Sequence, residues 1–368
     1  MDSQGTPPAK VALYVDSEAL DRFGSVFRHL LVGLVDQAVN LRLVSRDPRI
    51  EALRLGPVQT VVHERIGWPV TGRRMDALLD VLSQNPPTIV HAASGASYQV
   101  ALETAEMFDA DFVVQVTSLG DCDAVLTLPT ERVGRFLALS TPLLRVLTEQ
   151  LGISEEQIDL ARPGVFAAQE SASFSNPDRV PAFLCVSALE RTSGVDRLID
   201  AVQLLRQRGH TFMLFLLGEG KREPAARRLV RDHKLSGYVT LAHPSGDVSR
   251  AMGSADIVVR PAADIAFHAD SLQAMGAGIA VVSMSGSVYD HLQDGETAVV
   301  CNKLTAQALA DGIERLLADR EFARKLAAAG QEYVRTHHAA SQMAETVANT
   351  YRQILSDRPT LPAKEESA

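Results

Sequence analysis

Short β-branched runs alternate with helical segments along most of this 368-residue chain, and no other feature restricts its fold as much. A strand written as an unbroken apolar run is buried on both faces, which calls for a parallel sheet covered by helices on each side. In the first half the pattern predicts strands over 11–15, 41–44, 58–63, 89–91, 112–117 and 135–139, with helices over 25–38, 73–84, 97–108 and 142–151. From 182 to 300 strands and helices alternate again. A helical region follows with Ala310, Ile313, Leu316 and Leu317 on one face, and then a helix over 340–355. The Ser-, Ala-, Asn- and Pro-containing stretch 167–181 reads as an exposed linker, and the Pro-, Lys- and Glu-containing stretch 356–368 as a disordered tail. The expected class is therefore α/β, with two Rossmann-like domains over 1–166 and 182–339. Ligands of such sheets bind beyond the carboxyl ends of the strands, so the active cleft is expected between the domains.

Apolar residues make up 46% of the chain, enough for two sizeable cores. The formal charge of −9 argues against a nucleic-acid surface, which would need clustered Lys and Arg. No stretch is long and apolar enough for a transmembrane span, and the polar start Met1-Asp2-Ser3-Gln4-Gly5 lacks the layout of a signal peptide, so the expected location is cytoplasmic. Cys122, Cys185 and Cys301 have neither paired spacing nor histidines in metal-ligand patterns. They read as reduced core thiols, and no metal is expected.

The segment Arg260 to Gly278 carries the most specific signal. It runs from a buried strand through a loop into a helix, a corner whose free N–H groups suit a diphosphate. The segment resembles the retaining glycosyltransferases of family 4, which have the GT-B architecture of two Rossmann-like domains. Their usual pattern here is Pro-Ser-x-x-Glu-Gly-Phe-Gly-Leu-x-x-x-Glu-Ala-Met-Ala-x-Gly, and Pro261, Phe267, Ala274, Met275 and Gly278 fall in register with it. Further blocks match in order: Val186-Ser187-Ala188-Leu189 with Ser193 to Ala201, Leu214 to Gly220 with its Gly-x-Gly turn, Val239 to Leu241, Ala255 to Val259, and Asp294-Gly295-Glu296-Thr297-Ala298. Gly164 stands near the family's crossover into the second domain.

The departures fall on the chemical residues. The resemblance places glutamates that contact the donor sugar and ribose where this chain has Ile265 and Gln273. It places the diphosphate-clamping arginine and lysine where Ala188 and Ser193 stand. Isoleucine accepts no hydrogen bond, and glutamine keeps an acceptor but loses the charge. The donor-site candidates are then Gly24, Ser25, Arg191, Ser193, Gly218, Gly220, Lys221, Phe267, His268, Ala269 and Gln273. Phe23-Gly24-Ser25 resembles the family's glycine loop or is simply a helix start with Ser25 as cap. Arg191 and Lys221 are either donor contacts or solvated surface cations. His268 could take up part of a diphosphate's charge, with Asp264 and Asp270 opposing it if they face the same pocket. On the acceptor side the candidates are His91, Ser118 and Asp121, against readings of His91 as a packing residue and Asp121 as a turn former.

The resemblance implies metal-free transfer of a sugar, with retention, from a nucleotide diphosphate sugar to a glycan, lipid or small-molecule acceptor. N–H groups at Phe267, His268 and Ala269 would steady the leaving diphosphate. The helix over 340–355 would cross back to the first domain, and a peripheral membrane contact stays open. The missing acids and cations set a competing reading beside it: a degenerate GT-B module that binds or scaffolds next to a protein partner.

Overall fold

The computed structural model describes residues 8–63, 72–243, 248–286 and 288–358. They form two compact units. The first holds a seven-stranded sheet of β1 (Lys10–Tyr14), β2 (Asn40–Ser45), β3 (Gln59–Val62), β4 (Ile89–Ala92), β5 (Asp111–Val116), β6 (Val133–Ala138) and β7 (Ile158–Leu160), in the order β3-β2-β1-β4-β5-β6-β7. The second holds a six-stranded sheet of β8 (Ala182–Val186), β9 (Met213–Leu217), β10 (Val239–Ala242), β11 (Ile257–Arg260), β12 (Ala280–Met284) and β13 (Val299–Cys301), in the order β10-β9-β8-β11-β12-β13. The paired strands run parallel in both sheets. In each sheet the order reverses beside the first strand, between β1 and β4 and between β8 and β11. Chain leaving the carboxyl ends at those two points parts in opposite directions and opens a crevice.

The core of the second unit follows from its sequence. Phe183, Cys185, Leu214, Leu216, Ile257, Val259, Ala280 and Val282 are buried on the strands, and Leu198, Ile199, Val202 and Leu205 of the helix Val195–Gln207 pack onto them. Leu309, Ile313 and Leu316 of Ala306–Ala318 belong to the same cluster, so the apolar face read near 310–317 is a core face.

Several expected elements differ. The first helix is Ser17–Asp36, starting well before 25, because the Asp16 carboxylate caps it by accepting from the Ala19 N–H at 2.8 Å. The short strand β7 and the helix Leu119–Val125 were not expected at all. About half of the residues 167–181 are exposed, yet the stretch is tied down along its length. Ala168, Ala172 and Ser173 donate backbone N–H bonds to the carbonyls of Gly276, Ala277 and Gly278, and Phe174 is buried in the second core. The Asp256 carboxylate fastens the end of this stretch by accepting from Phe174 N, Ala182 N and Arg179 Nη2, each within 2.9 Å.

The helix Ala340–Asp357 counts, from Ser341 on, with the first unit. Thr350 Oγ1 donates to Asp159 at 2.8 Å, and Tyr351 Oη meets His91 Nδ1 at 2.6 Å. Residues 356 and 357, expected in a loose tail, are helical, while 359–368 lie outside the described residues. No helix among the described residues is long and apolar enough to cross a membrane.

His91, expected as an acceptor-side candidate, is a core residue. It sits inside β4, fully buried, and burial pushes its pKa down from 6.5 to about 3. Between those values the unfolded chain binds the proton and the folded chain does not, so stability is intact above about pH 6.5 and falls as pH drops below it. We expect urea unfolding to show a loss of about 1.4 kcal/mol per pH unit from this group below pH 6.5. His91→Asn should be less stable at neutral pH yet have a shallower acid slope, and an unchanged slope would contradict the assignment.

Candidate functional site

In the second unit three loops leave the carboxyl ends of the adjacent strands β9, β8 and β11: residues 218–222, 187–194 and 261–269. Backbone bonds tie the first two together. Leu189 N donates to Glu219 O at 2.9 Å and Arg222 N to Leu189 O at 2.8 Å. Gly218 lies so close to the Ser187 carbonyl that a Cβ there would collide with it. Gly194, at φ +71°, lies likewise against the Pro261 carbonyl and brings the loops across the β8/β11 reversal into contact. Gly218 of the Gly-x-Gly turn and Gly194 ahead of the next helix thus serve the approach of loop to loop.

Arg191 and Lys221 are exposed on the rim of this corner. Ser193 is half-buried, and its hydroxyl donates to the Glu190 carbonyl at 2.8 Å. Gly220 lies on the turn beside Leu189. Ile265 is 62% exposed, an apolar side chain held in water where the resemblance places an acid. Gln273 is half-buried on the short helix Asp270–Gly276.

That helix begins at Asp270, so Phe267 and His268 stand in the loop ahead of it. The His268 N–H donates to Tyr289 Oη at 3.3 Å, and Ala269 is the buried N-cap. Phe267 is fully buried with its ring edge-on to Tyr289, 5.2 Å between centroids. Sequence reasoning missed the group that organises the entrance. Arg260, last residue of β11, is buried and binds Asp264 through Nη2 at 2.6 Å and Nε at 3.0 Å, and Asp270 through Nη1. Tyr289 Oη donates to the same Asp264 oxygen at 3.2 Å. Burial works against the Arg260 charge, but Asp270, Tyr289 and Asp264 outweigh it and hold its pKa well above the ordinary value. The two aspartates expected to oppose a diphosphate are therefore already paired with a cation. The available signal was a lone arginine closing an apolar strand with Asp at +4 and +10.

The first unit carries a second corner, at the β1/β4 reversal. Asp16 follows β1, and Ser94 beyond β4 donates its hydroxyl to the Asp16 carboxylate. Asp121 is buried rather than a loop turn former. It accepts from Gly95 N at 2.9 Å, Thr117 N at 2.8 Å and Thr117 Oγ1 at 2.6 Å, and Ser118 caps its helix by accepting from Asp121 N at 3.0 Å. Burial raises the Asp16 pKa, countered by the Ala19 N–H and the charge of Arg22. Arg22 is itself buried, and its Nε and Nη1 find no hydrogen-bond partner among the described residues. Gly24 and Ser25 lie within the helix Ser17–Asp36, and a Cβ at Gly24 would meet nothing within 4 Å, so the expected glycine loop is absent.

Residues 180–319 match the family model of the Glycosyl transferases group 1. Over 204 residues the chain is 26% identical to a GDP-mannose-dependent alpha-(1-6)-phosphatidylinositol monomannoside mannosyltransferase of Mycobacterium tuberculosis, covering 53% of each chain. The chain spans about half the length of such curated relatives. Two solved structures share its fold almost throughout. Sucrose-phosphate synthase of Thermosynechococcus elongatus has a TM-score of 0.77 at 19% identity, covering 95% of this chain and all of that one. Anabaena HepE in complex with UDP-glucose has a TM-score of 0.76 at 14% identity, covering 94% of this chain and all of that one. The fold is GT-B, and residues 180–319 are similar to the group 1 glycosyltransferases. These matches do not separate family 4 from the rest of group 1.

Proposed function

We propose that the second unit binds a nucleotide diphosphate sugar in the corner made by loops 187–194, 218–222 and 261–269, and that the protein transfers the sugar with retention to an acceptor held by the first unit. The observation that carries this reading is the contact of Gly194 with Pro261 across the β8/β11 reversal, the place where open parallel sheets receive nucleotides. Arg191 and Lys221 on the rim supply positive charge in place of the missing clamp, and His268 adds an imidazole from the loop 261–269. Arg260 offsets one of the two charges of Asp264 and Asp270, which lessens the repulsion of a diphosphate at the entrance. In the first unit the reading gives Asp16, Ser94 and Arg22 to the acceptor side, with Asp121 and Ser118 holding their loops.

A second reading, a GT-B module that binds without catalysing, is favoured by one observation: where the resemblance places the two acids, Ile265 stands in water and an uncharged, half-buried Gln273 takes the other position. Calorimetry with UDP and with GDP tests the binding step. We expect weak binding that competing phosphate or high salt reduces, since the contact is largely electrostatic. Absence of heat at millimolar ligand would overturn the donor-site reading. Nucleotide binding without hydrolysis or transfer of any donor sugar offered would decide for the second reading.

A further inference from the structure

Beside Phe267 of the third loop, whose ring lies 5.4 Å from that of His291, three side chains converge that the proposed transfer does not use. One nitrogen of His291, one nitrogen of His338 and one carboxylate oxygen of Asp290 all lie within 4.8 Å of one another. Both histidines are fully buried and Asp290 half-buried. We propose that Asp290, His291 and His338 form a binding site for one divalent transition-metal ion of the Zn²⁺ type.

The surroundings orient each ligand. His338 Nδ1 donates to the Pro163 carbonyl at 2.8 Å, which fixes the tautomer that presents Nε2 as a lone-pair donor. Ser271 Oγ holds His291 Nε2 at 2.8 Å, and His291 Nδ1 is buried without a hydrogen-bond partner. Thr141 donates to Asp290 Oδ2 twice, from N at 3.1 Å and Oγ1 at 3.0 Å, which turns the carboxylate and makes Oδ1 its ligand atom. Hydrogen-bonded imidazoles and a hydrogen-bonded carboxylate are the arrangement that surrounds bound metals in general.

Two nitrogens and one oxygen suit Zn²⁺ or a neighbouring transition ion rather than Mg²⁺ or Ca²⁺, which prefer all-oxygen sets. With metal–ligand bonds of about 2.0–2.1 Å, a tetrahedral ion keeps its ligand atoms about 3.4 Å apart. The three groups would therefore draw together by at most about 1.4 Å, within reach of side-chain rotation. Arg260 also faces His291, and Asp264 and Asp270 offset its charge. An ion here would pin the 290–291 turn to the chain just ahead of the helix Ala340–Asp357. This departs from the expectation of no metal, because the two histidines stand far apart in sequence and match no short ligand motif. The proposal does not rest on nucleotide binding.

The test uses the full chain, stripped with a chelator, re-exposed to Zn²⁺, desalted and assayed for bound metal by mass spectrometry. We expect about one Zn²⁺ per chain. His291→Leu and His338→Leu should each abolish retention. Ser271→Ala, which removes only the support of His291, should weaken affinity about 10–100-fold while the chain stays folded. Co²⁺ added to the stripped wild type should give the visible absorption of a tetrahedral nitrogen and oxygen site. Retention of the same metal by the histidine variants would mean surface binding, and no retention by the wild type would likewise overturn the proposal. If the leucine variants do not fold, the wild-type Co²⁺ spectrum and its weakening in Ser271→Ala decide: a tetrahedral spectrum sensitive to Ser271 supports the site, and an octahedral or Ser271-insensitive one overturns it.

Discussion

Replacing Arg260 with methionine should lower the stability of the second unit by about 3–5 kcal/mol, the cost of leaving a buried ion cluster with one sign of charge. The side chains of Arg260, Asp264 and Asp270 are 7%, 9% and 14% exposed, so water cannot take over the lost partner. Methionine fills much of the arginine stem's volume, so most of the loss comes from unpaired carboxylates rather than from a cavity. Adding Asp264→Asn and Asp270→Asn to Arg260→Met should recover a large share of the stability, since the charges that needed a partner are then gone. Urea unfolding of the three proteins checks this. If the single and triple variants were equally unstable, the cluster would owe its effect to shape rather than charge.

The second large effect concerns affinity. Ala188→Arg with Ser193→Lys returns two cations to the loop that leaves β8, and each charged hydrogen bond to a phosphate is worth about 1.5–3 kcal/mol where geometry allows it. We expect nucleoside diphosphate binding to tighten by about tenfold or more for each cation. Ala188 is exposed and Ser193 half-buried, so both longer side chains can reach water or ligand without entering the core. Ile265→Glu and Gln273→Glu should change discrimination among donor sugars more than affinity for the diphosphate. Unchanged binding in the cationic pair would mean that the diphosphate does not lie against this loop.

Most of the fold was legible because a parallel strand buried on both faces leaves a continuous apolar run, as at Ile257 to Val259 or Ala280 to Val282. β7 was not legible, because it is three residues long with Asp159 at its centre. Gly24 reads as a loop residue and hides the true start of the first helix, which the cap at Asp16 followed by Ser-Glu-Ala marks. The stretch 167–181 has the composition of a linker, yet its backbone groups find partners at Gly276, Ala277 and Gly278, a pairing that no local pattern records. At the site, the glycines and the strand-loop-helix frame could be read, since they obey local backbone rules. The partnerships of Asp121 with Gly95 and of His91 with Tyr351 could not, because the sheet order sets the first and the last helix of the chain the second. His91 shows the limit most directly: a strand-end histidine reads the same whether it faces a ligand or, as here, a tyrosine far along the chain.

Hydrogen exchange of the full chain with and without UDP or GDP tests the donor-corner account most directly, because it reports where a nucleotide sits rather than only that it binds. The account predicts slowed exchange in residues 187–194 and 261–269, on both sides of the β8/β11 reversal, with little change near the carboxyl ends of β1 and β4. Protection confined to the first unit, or binding that leaves both of those loops exchanging as before, would contradict it.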